Sequence, residues 1–140
     1  MRFASIGSGS AGNCMVIEQA STKLLLDCGF SSREVVTRLH KLDVMPEQIT
    51  GILITHEHDD HAKGAFKLAA KYNIPVWLSH GTLKMCERYL PEHATIQINV
   101  IDSHTSFAIE NIQVTPYPVP HDAREPTQFS FTDCLHYPGV

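Results

Sequence analysis

Gly51-Ile52-Leu53-Ile54-Thr55-His56-Glu57-His58-Asp59-Asp60-His61 decides how this chain is read. Residues 51–54 are apolar without alternation, the pattern of a strand covered on both faces. The strand ends at Thr55, and three histidines, two aspartates and a glutamate follow at once. His56 and His58 stand two apart in the segment leaving the strand; Asp60 and His61 fall where the next helix begins. A loop in that place turns successive side chains inward, so four donors converge without help from elsewhere in the chain. Three His and one Asp at four fixed places would arise by chance in roughly one such chain in several hundred.

The residue types select the ion. Imidazole with carboxylate and no thiolate suits zinc first, and manganese or iron otherwise; calcium and magnesium favour shells made entirely of oxygen. Catalytic zinc keeps one position open for a water whose pKa falls toward 7, giving hydroxide at neutral pH. Four close donors exceed what one open site needs, and two metals about 3.5–4 Å apart would share them. Two divalent metal ions are therefore expected.

Outward from this stretch, the chain alternates strands and helices. Residues 2–6, 14–18 and 23–27 read as strands, the last two forming a hairpin around Gln19-Ala20-Ser21-Thr22. Ser31 or Ser32 caps a helix running to Leu39. Residues 62–72 place Ala65, Phe66, Ala69 and Ala70 on one helical face and Lys63, Lys67 and Lys71 on the other. A strand over 74–78, a helix over 81–90 and short strands at 96–100, 107–109, 112–115 and 129–131 complete the pattern, with Glu110-Asn111 as a two-residue turn. Successive strand–helix units predict an α/β layered fold.

With 140 residues, 43% hydrophobic and 19% charged, the chain can bury one core and is short for two. No apolar run approaches the roughly 18 residues that cross a bilayer, and the N-terminus lacks a secretory pattern, so a cytoplasmic protein with no membrane partner is expected. Cys14, Cys28, Cys86 and Cys134 form no CxxC pair and read as reduced, mostly buried side chains. A net charge of −4 argues against capture of nucleic acid by the whole surface, though not by a local basic groove.

His-Glu-His-Asp-Asp-His after Ile-Leu-Ile-Thr resembles the HxHxDH signature of the metallo-β-lactamase superfamily. So do Ser8-Gly9-Ser10-Ala11-Gly12-Asn13, Leu25-Leu26-Asp27-Cys28-Gly29, Lys71-Tyr72-Asn73-Ile74-Pro75-Val76-Trp77 and Val119-Pro120-His121-Asp122-Ala123, which together resemble its YycJ/WalJ-like branch, related to ribonuclease Z. The resemblance spans essentially the whole chain. It implies an αββα sandwich, here mainly its first half: a mixed sheet with helices on one face. It also implies that His56, His58 and His121 hold one metal, that Asp60 and His61 begin the second site, and that Asp60 orients the attacking hydroxide as the catalytic carboxylate. A nucleic-acid substrate follows for a branch implicated in exonucleolytic cleavage of DNA.

The superfamily pattern also needs a bridging aspartate and a final histidine downstream. Thr132-Asp133 and His136 come too early for these roles, and the chain ends where a strand toward the missing aspartate is expected. Residues 1–140 are accordingly expected to be one superfamily domain truncated at its C-terminus. The exposed face of a half-fold would favour a homodimer. Asp27, at the end of an apolar strand, is expected to orient a metal-ligating histidine from behind. The run 7–13 is expected to line the mouth of the site. Arg124 and Glu125 are candidates for a phosphate contact or a mutual ion pair. His40, His80, His93 and His104 read as ordinary surface histidines, and Trp77 as core. The leading expectation is a dinuclear-metal phosphodiesterase or exonuclease. The alternatives are a hydrolase of small esters, thioesters or cyclic phosphodiesters, and an inactive metal-binding or interaction module.

Overall fold

The computed structural model describes residues 1–120 and 123–134. A six-stranded sheet forms in sequence order from β1 (Arg2–Gly7), β2 (Cys14–Gln19), β3 (Thr22–Leu26), β4 (Gly51–Leu53), β5 (Val76–Ser79) and β6 (Ile98–Ile101). The first three strands pair antiparallel and the last four parallel, so the sheet is mixed. A second sheet of β7 (Phe107–Ile109), β8 (Ile112–Pro118) and β9 (Thr127–Asp133) is antiparallel throughout. Helices α1 (Ser32–His40), α2 (Asp59–Ala62), α3 (Ala65–Tyr72) and α4 (His80–Met85) make up the remaining layer.

Alternate side chains of β2, β3 and β4 serve two cores. Val16, Leu25 and Ile52 join Val35, Leu39, Phe66 and Leu68 of the helices. Their neighbours Ile17, Leu24 and Leu53 meet Ile109, Ile112, Val114 and Phe129 of the second sheet. This double coverage is why these strands lack alternation, and each fully buried Leu or Ile contributes about 1.5–3 kcal/mol relative to exposure. The expected mixed sheet with helices on one face is what forms.

Two expectations are corrected in detail. The helix expected over 62–72 is split into α2 and α3 at Gly64, whose N–H bonds the Cys28 carbonyl. A Cβ there would strike the Phe30 backbone, so the break is a close approach that only glycine allows. The helix expected over 81–90 stops at Met85 and continues only as a single 3-10 turn at Glu87–Tyr89. Conversely, β8 runs beyond the expected 115, through Pro116 and Pro118. Pairing with β7 ends at Val114, so the missing proline N–H groups face an open edge. The turn at Glu110-Asn111 forms as expected, with Ile109 opposite Ile112 and Glu110 left-handed (φ 51°). Ser31 is the cap of α1, accepting from the Glu34 N–H.

Candidate metal centre

Parallel pairing places the ends of β3 and β4 side by side, so Asp27 meets Thr55 and the histidine loop at the carboxyl edge of the sheet. Asp27 turns into the left-handed region (φ 64°) while its N–H still bonds the Leu53 carbonyl at 2.7 Å. This turn aims a carboxylate that is 5% exposed under the loop. Its Oδ1 accepts from the Thr55 N–H (2.8 Å), and its Oδ2 accepts from His61 Nδ1 (2.6 Å) and the Thr55 hydroxyl (2.8 Å). His56 Nδ1 lies 2.9 Å from the same hydroxyl. With Thr55 donating to Asp27, this network assigns the protons of His56 and His61 to Nδ1 and leaves Nε2 of each as the nitrogen with a lone pair to offer a cation.

Burial pushes the Asp27 carboxyl up, and its bonds to His61 and Thr55 offset this only in part. For His61, burial acts downward, but the hydrogen bond and charge of Asp27, helped by Asp60, outweigh it and raise the imidazole. The two directions agree in meaning: the pair holds its proton more tightly than either side chain would in water.

On the loop's other side, His61 Nε2 lies 3.7 Å from Asp60 Oδ2. Two donors on one tetrahedral zinc at 2.0–2.1 Å stand about 3.3 Å apart, so this pair fits the edge of such a site. The His56 ring centroid is 3.9 Å from that of His61 and 4.8 Å from that of His58. Asn13 closes the arrangement: its amide N–H donates to Asp60 Oδ2 (3.2 Å) and the Asp60 carbonyl (3.0 Å), and lies 3.3 Å from His61 Nε2. The run 7–13 thus lines the site through Asn13, whose orientation is fixed by paired bonds to the Gly9 backbone. Asp59, by contrast, turns outward to the Tyr89 hydroxyl and Arg88.

Among the described residues, no group of three or more His, Cys, Asp or Glu side chains is arranged to hold a metal ion. His121 lies outside the described residues, as does His136. The donor chemistry present, imidazole nitrogen with carboxylate oxygen, suits zinc, manganese or iron. Asp133 is at the far end of β9, about 20 Å of strand from Thr127, and accepts from Gln19 Nε2 (2.9 Å). The cysteines are free, and burial pushes the Cys86 thiol up to about 12, with the Glu57 carboxylate adding to it.

Two glutamates take roles that the sequence did not show: Glu57 carries no expected role, and Glu125 only that of a phosphate or Arg124 partner. Glu57, buried between two histidines, accepts the Arg124 N–H at Oε2 (3.1 Å), while its Oε1 has no hydrogen-bond partner. Glu125 accepts from the Gly81 N–H (2.7 Å) and the Ser103 hydroxyl (3.3 Å), and its carbonyl accepts from Ser79 and Thr82. Of the two alternatives for Arg124 and Glu125, a phosphate contact or a mutual ion pair, the ion pair does not form among the described residues. Instead, both glutamates fasten residues 123–127, the strap just past His121, across the ends of the parallel strands. Only the position of Glu57 inside the histidine motif could have signalled this. Trp77 is half-buried and stacks on Phe107 at 6.4 Å, at the rim of the core.

The sequence model of the metallo-β-lactamase superfamily matches residues 7–134. The chain is 32% identical over 131 residues to the exodeoxyribonuclease YycJ of Bacillus anthracis, covering 94% of this chain and 50% of that protein. It is 31% identical over 132 residues to the exodeoxyribonuclease WalJ of Streptococcus pneumoniae serotype 2, covering 93% and 49%. The chain thus spans about half the length of the curated relatives it matches. Among solved structures, the Rm3 metallo-β-lactamase superposes with a TM-score of 0.77 at 16% identity, over 96% of this chain and 55% of that one. At that identity the match speaks for the fold alone.

Proposed function

The chain belongs to the metallo-β-lactamase superfamily, and on that premise we propose that it carries the metal-binding loop of a dinuclear-metal phosphodiesterase acting on DNA. The observation that carries this reading is the Asp27–His61–Asp60 line. A buried carboxylate fixes one imidazole nitrogen and turns the other toward a second carboxylate. Such an arrangement serves a cation better than it serves packing. The identity of about 31–32% to two exodeoxyribonucleases supports DNA as the substrate class. In this reading His56, His58 and His121 hold one divalent ion, Asp60 and His61 contribute to a second, and zinc is the first choice of metal. When bound, the ions supply a water deprotonated at neutral pH and a counter-charge for the phosphate. Asp60 Oδ2 orients the attacking water, and Asp27 keeps the His61 proton at Nδ1.

The same reading places the protein in the cytoplasm with its substrate. No described helix is long and apolar enough to cross a membrane. It also favours a homodimer, supported by the large side chains of Phe3 and Tyr117 exposed on β1 and β8. Light scattering that finds only monomer mass across a wide concentration range would overturn the dimer.

Purified protein loaded with zinc or manganese is to be assayed against linear duplex DNA, bis-p-nitrophenyl phosphate and a thioester. Cleavage of the two phosphodiesters is expected, with His58→Ala abolishing both turnover and metal retention. Thioester turnover alone would sink the proposal in favour of a small-molecule hydrolase. A second reading, an inert metal-binding module, draws on the lack of a three-donor cluster among the described residues. At most one bound ion per chain by elemental analysis, with no turnover, would favour it.

A further inference from the structure

The outer faces of α1 and α3 enclose a groove of about 650 Å³. Arg33 and His40 line it from α1, Lys67 and Lys71 from α3, over a floor that includes Val36 and Tyr72. Arg33, Lys67 and Lys71 are exposed, and among the described residues no carboxylate pairs with any of them. Arg38, elsewhere on α1, is paired with Glu34 at 3.0 Å. Three cations without a carboxylate partner among the described residues, one of them, Lys71, lying 5.5 Å from the Tyr72 ring centroid, thus share one groove on a chain whose net charge is −4. Lys67 and Lys71 stand one helical turn apart, where like charges disfavour the helix, and Arg33 faces them across the groove. An anionic occupant removes that repulsion.

The groove also has a direction. Its upper end, at Ser32, lies next to the segment tied to the histidine loop by the bonds from Cys28 N–H to the His61 carbonyl (2.8 Å) and from Gly64 N–H to the Cys28 carbonyl (2.9 Å). Its lower end, at His40 and Tyr72, is about 12 Å farther along the helices. A lone phosphate would fill only part of this length, whereas a polymer whose end is held at the histidine loop is long enough to reach it. We infer that the α1–α3 groove is a track for the phosphate backbone of one DNA strand, gripping the substrate beyond the bond being cut. This rests on the reading of the histidine loop as a phosphodiesterase centre.

The test measures binding of a fluorescein-labelled duplex by anisotropy in EDTA, across a range of salt concentrations, for the full chain and for the triple variant Arg33→Gln/Lys67→Gln/Lys71→Gln. Lys84→Gln, an exposed lysine of α4 outside the groove, is the control. The triple variant is expected to bind at least about tenfold more weakly near 0.1 M salt, and its log–log salt slope to fall by about 2 to 3, since each lost phosphate contact removes about 0.7–0.9. Circular dichroism and hydrolysis of bis-p-nitrophenyl phosphate should not change. Parental affinity in the triple variant, or no DNA binding by the parent, overturns the groove. So does equal competition by poly-glutamate, which would mark a protein-docking surface. Failure of the parent to hydrolyse bis-p-nitrophenyl phosphate would instead count against the centre, and the salt slopes would still decide the groove.

Discussion

The histidine loop (residues 55–61) and the strap that crosses it (residues 123–127) meet where the Thr127 N–H bonds the Thr55 carbonyl at 2.9 Å, yet different forces fix them. The loop is held by backbone and by one buried side chain, the Asp27 carboxylate beneath Thr55 and His61. Parallel pairing of β3 with β4 sets its root, the Asn13 N–H bonds the Asp60 carbonyl at 2.7 Å, and Gly29 packs so closely against that carbonyl that a Cβ would collide with it. The strap is held mainly by side chains, Glu57 from the loop beneath it and its own Glu125 reaching Gly81 and Ser103. A candidate metal centre whose floor is backbone around a single buried carboxylate and whose roof is side chain should lose its floor only through Asp27, and its roof through substitutions that leave the floor in place.

The largest expected effect breaks the floor. Asp27→Ala leaves the Thr55 N–H and the His61 imidazole without their buried acceptor. Urea unfolding in EDTA should show a loss of about 3 kcal/mol, and metal retention should fall with it. Unchanged stability would mean that Asp27 does not anchor the loop. Next, Glu125→Ala should cost about 2 kcal/mol by stripping the acceptor from Gly81 and Ser103. Hydrogen exchange should rise in residues 123–127 while the amides of Asp27 and His61 stay protected. Equal loosening of both segments would dissolve the contrast drawn between them.

The proton held by Asp27 and His61 gives a pH signature for the metal-free protein. His61 is raised above its unfolded value of about 6.5, so its stabilisation is complete below that value and is lost as pH rises through the folded one. Asp27 is also raised, so its contribution is complete below about 3.9 and is lost on the way up. Thermal melts in EDTA should therefore show Tm falling between pH 6 and 8.5, with Asp27→Asn flattening the curve. A parent curve that rises would refute the shared proton. The smallest effect should come from Glu57→Gln. It keeps an acceptor for the Arg124 N–H while removing a buried charge whose other oxygen is unpartnered, and should shift stability by less than about 1 kcal/mol.

The position of the histidine loop was legible because its signal is local. An unbroken apolar strand, a left-handed-tolerant aspartate at the end of its neighbour and donors two, four and five residues apart from His56 onward announce a loop at a sheet edge without any long-range information. The break at Gly64 was not legible, since helical periodicity over 62–72 carries no trace of the Phe30 carbonyl that forces it. Nor was the strap, because the partners of Glu125 lie 22 to 46 residues away in sequence.

By itself the sequence determined the succession of strands and helices, the place of the histidine loop after a buried strand and the chemical type of its donors. These follow from periodicity and residue identity within a dozen neighbours. The tertiary structure decided which imidazole nitrogen faces Asp60, which acidic residues fasten the strap, and that three lysine and arginine side chains share one groove. Each of these depends on the pairing of strands and helices far apart in the chain, whose relative placement is set by the packing of two cores and not by any local pattern.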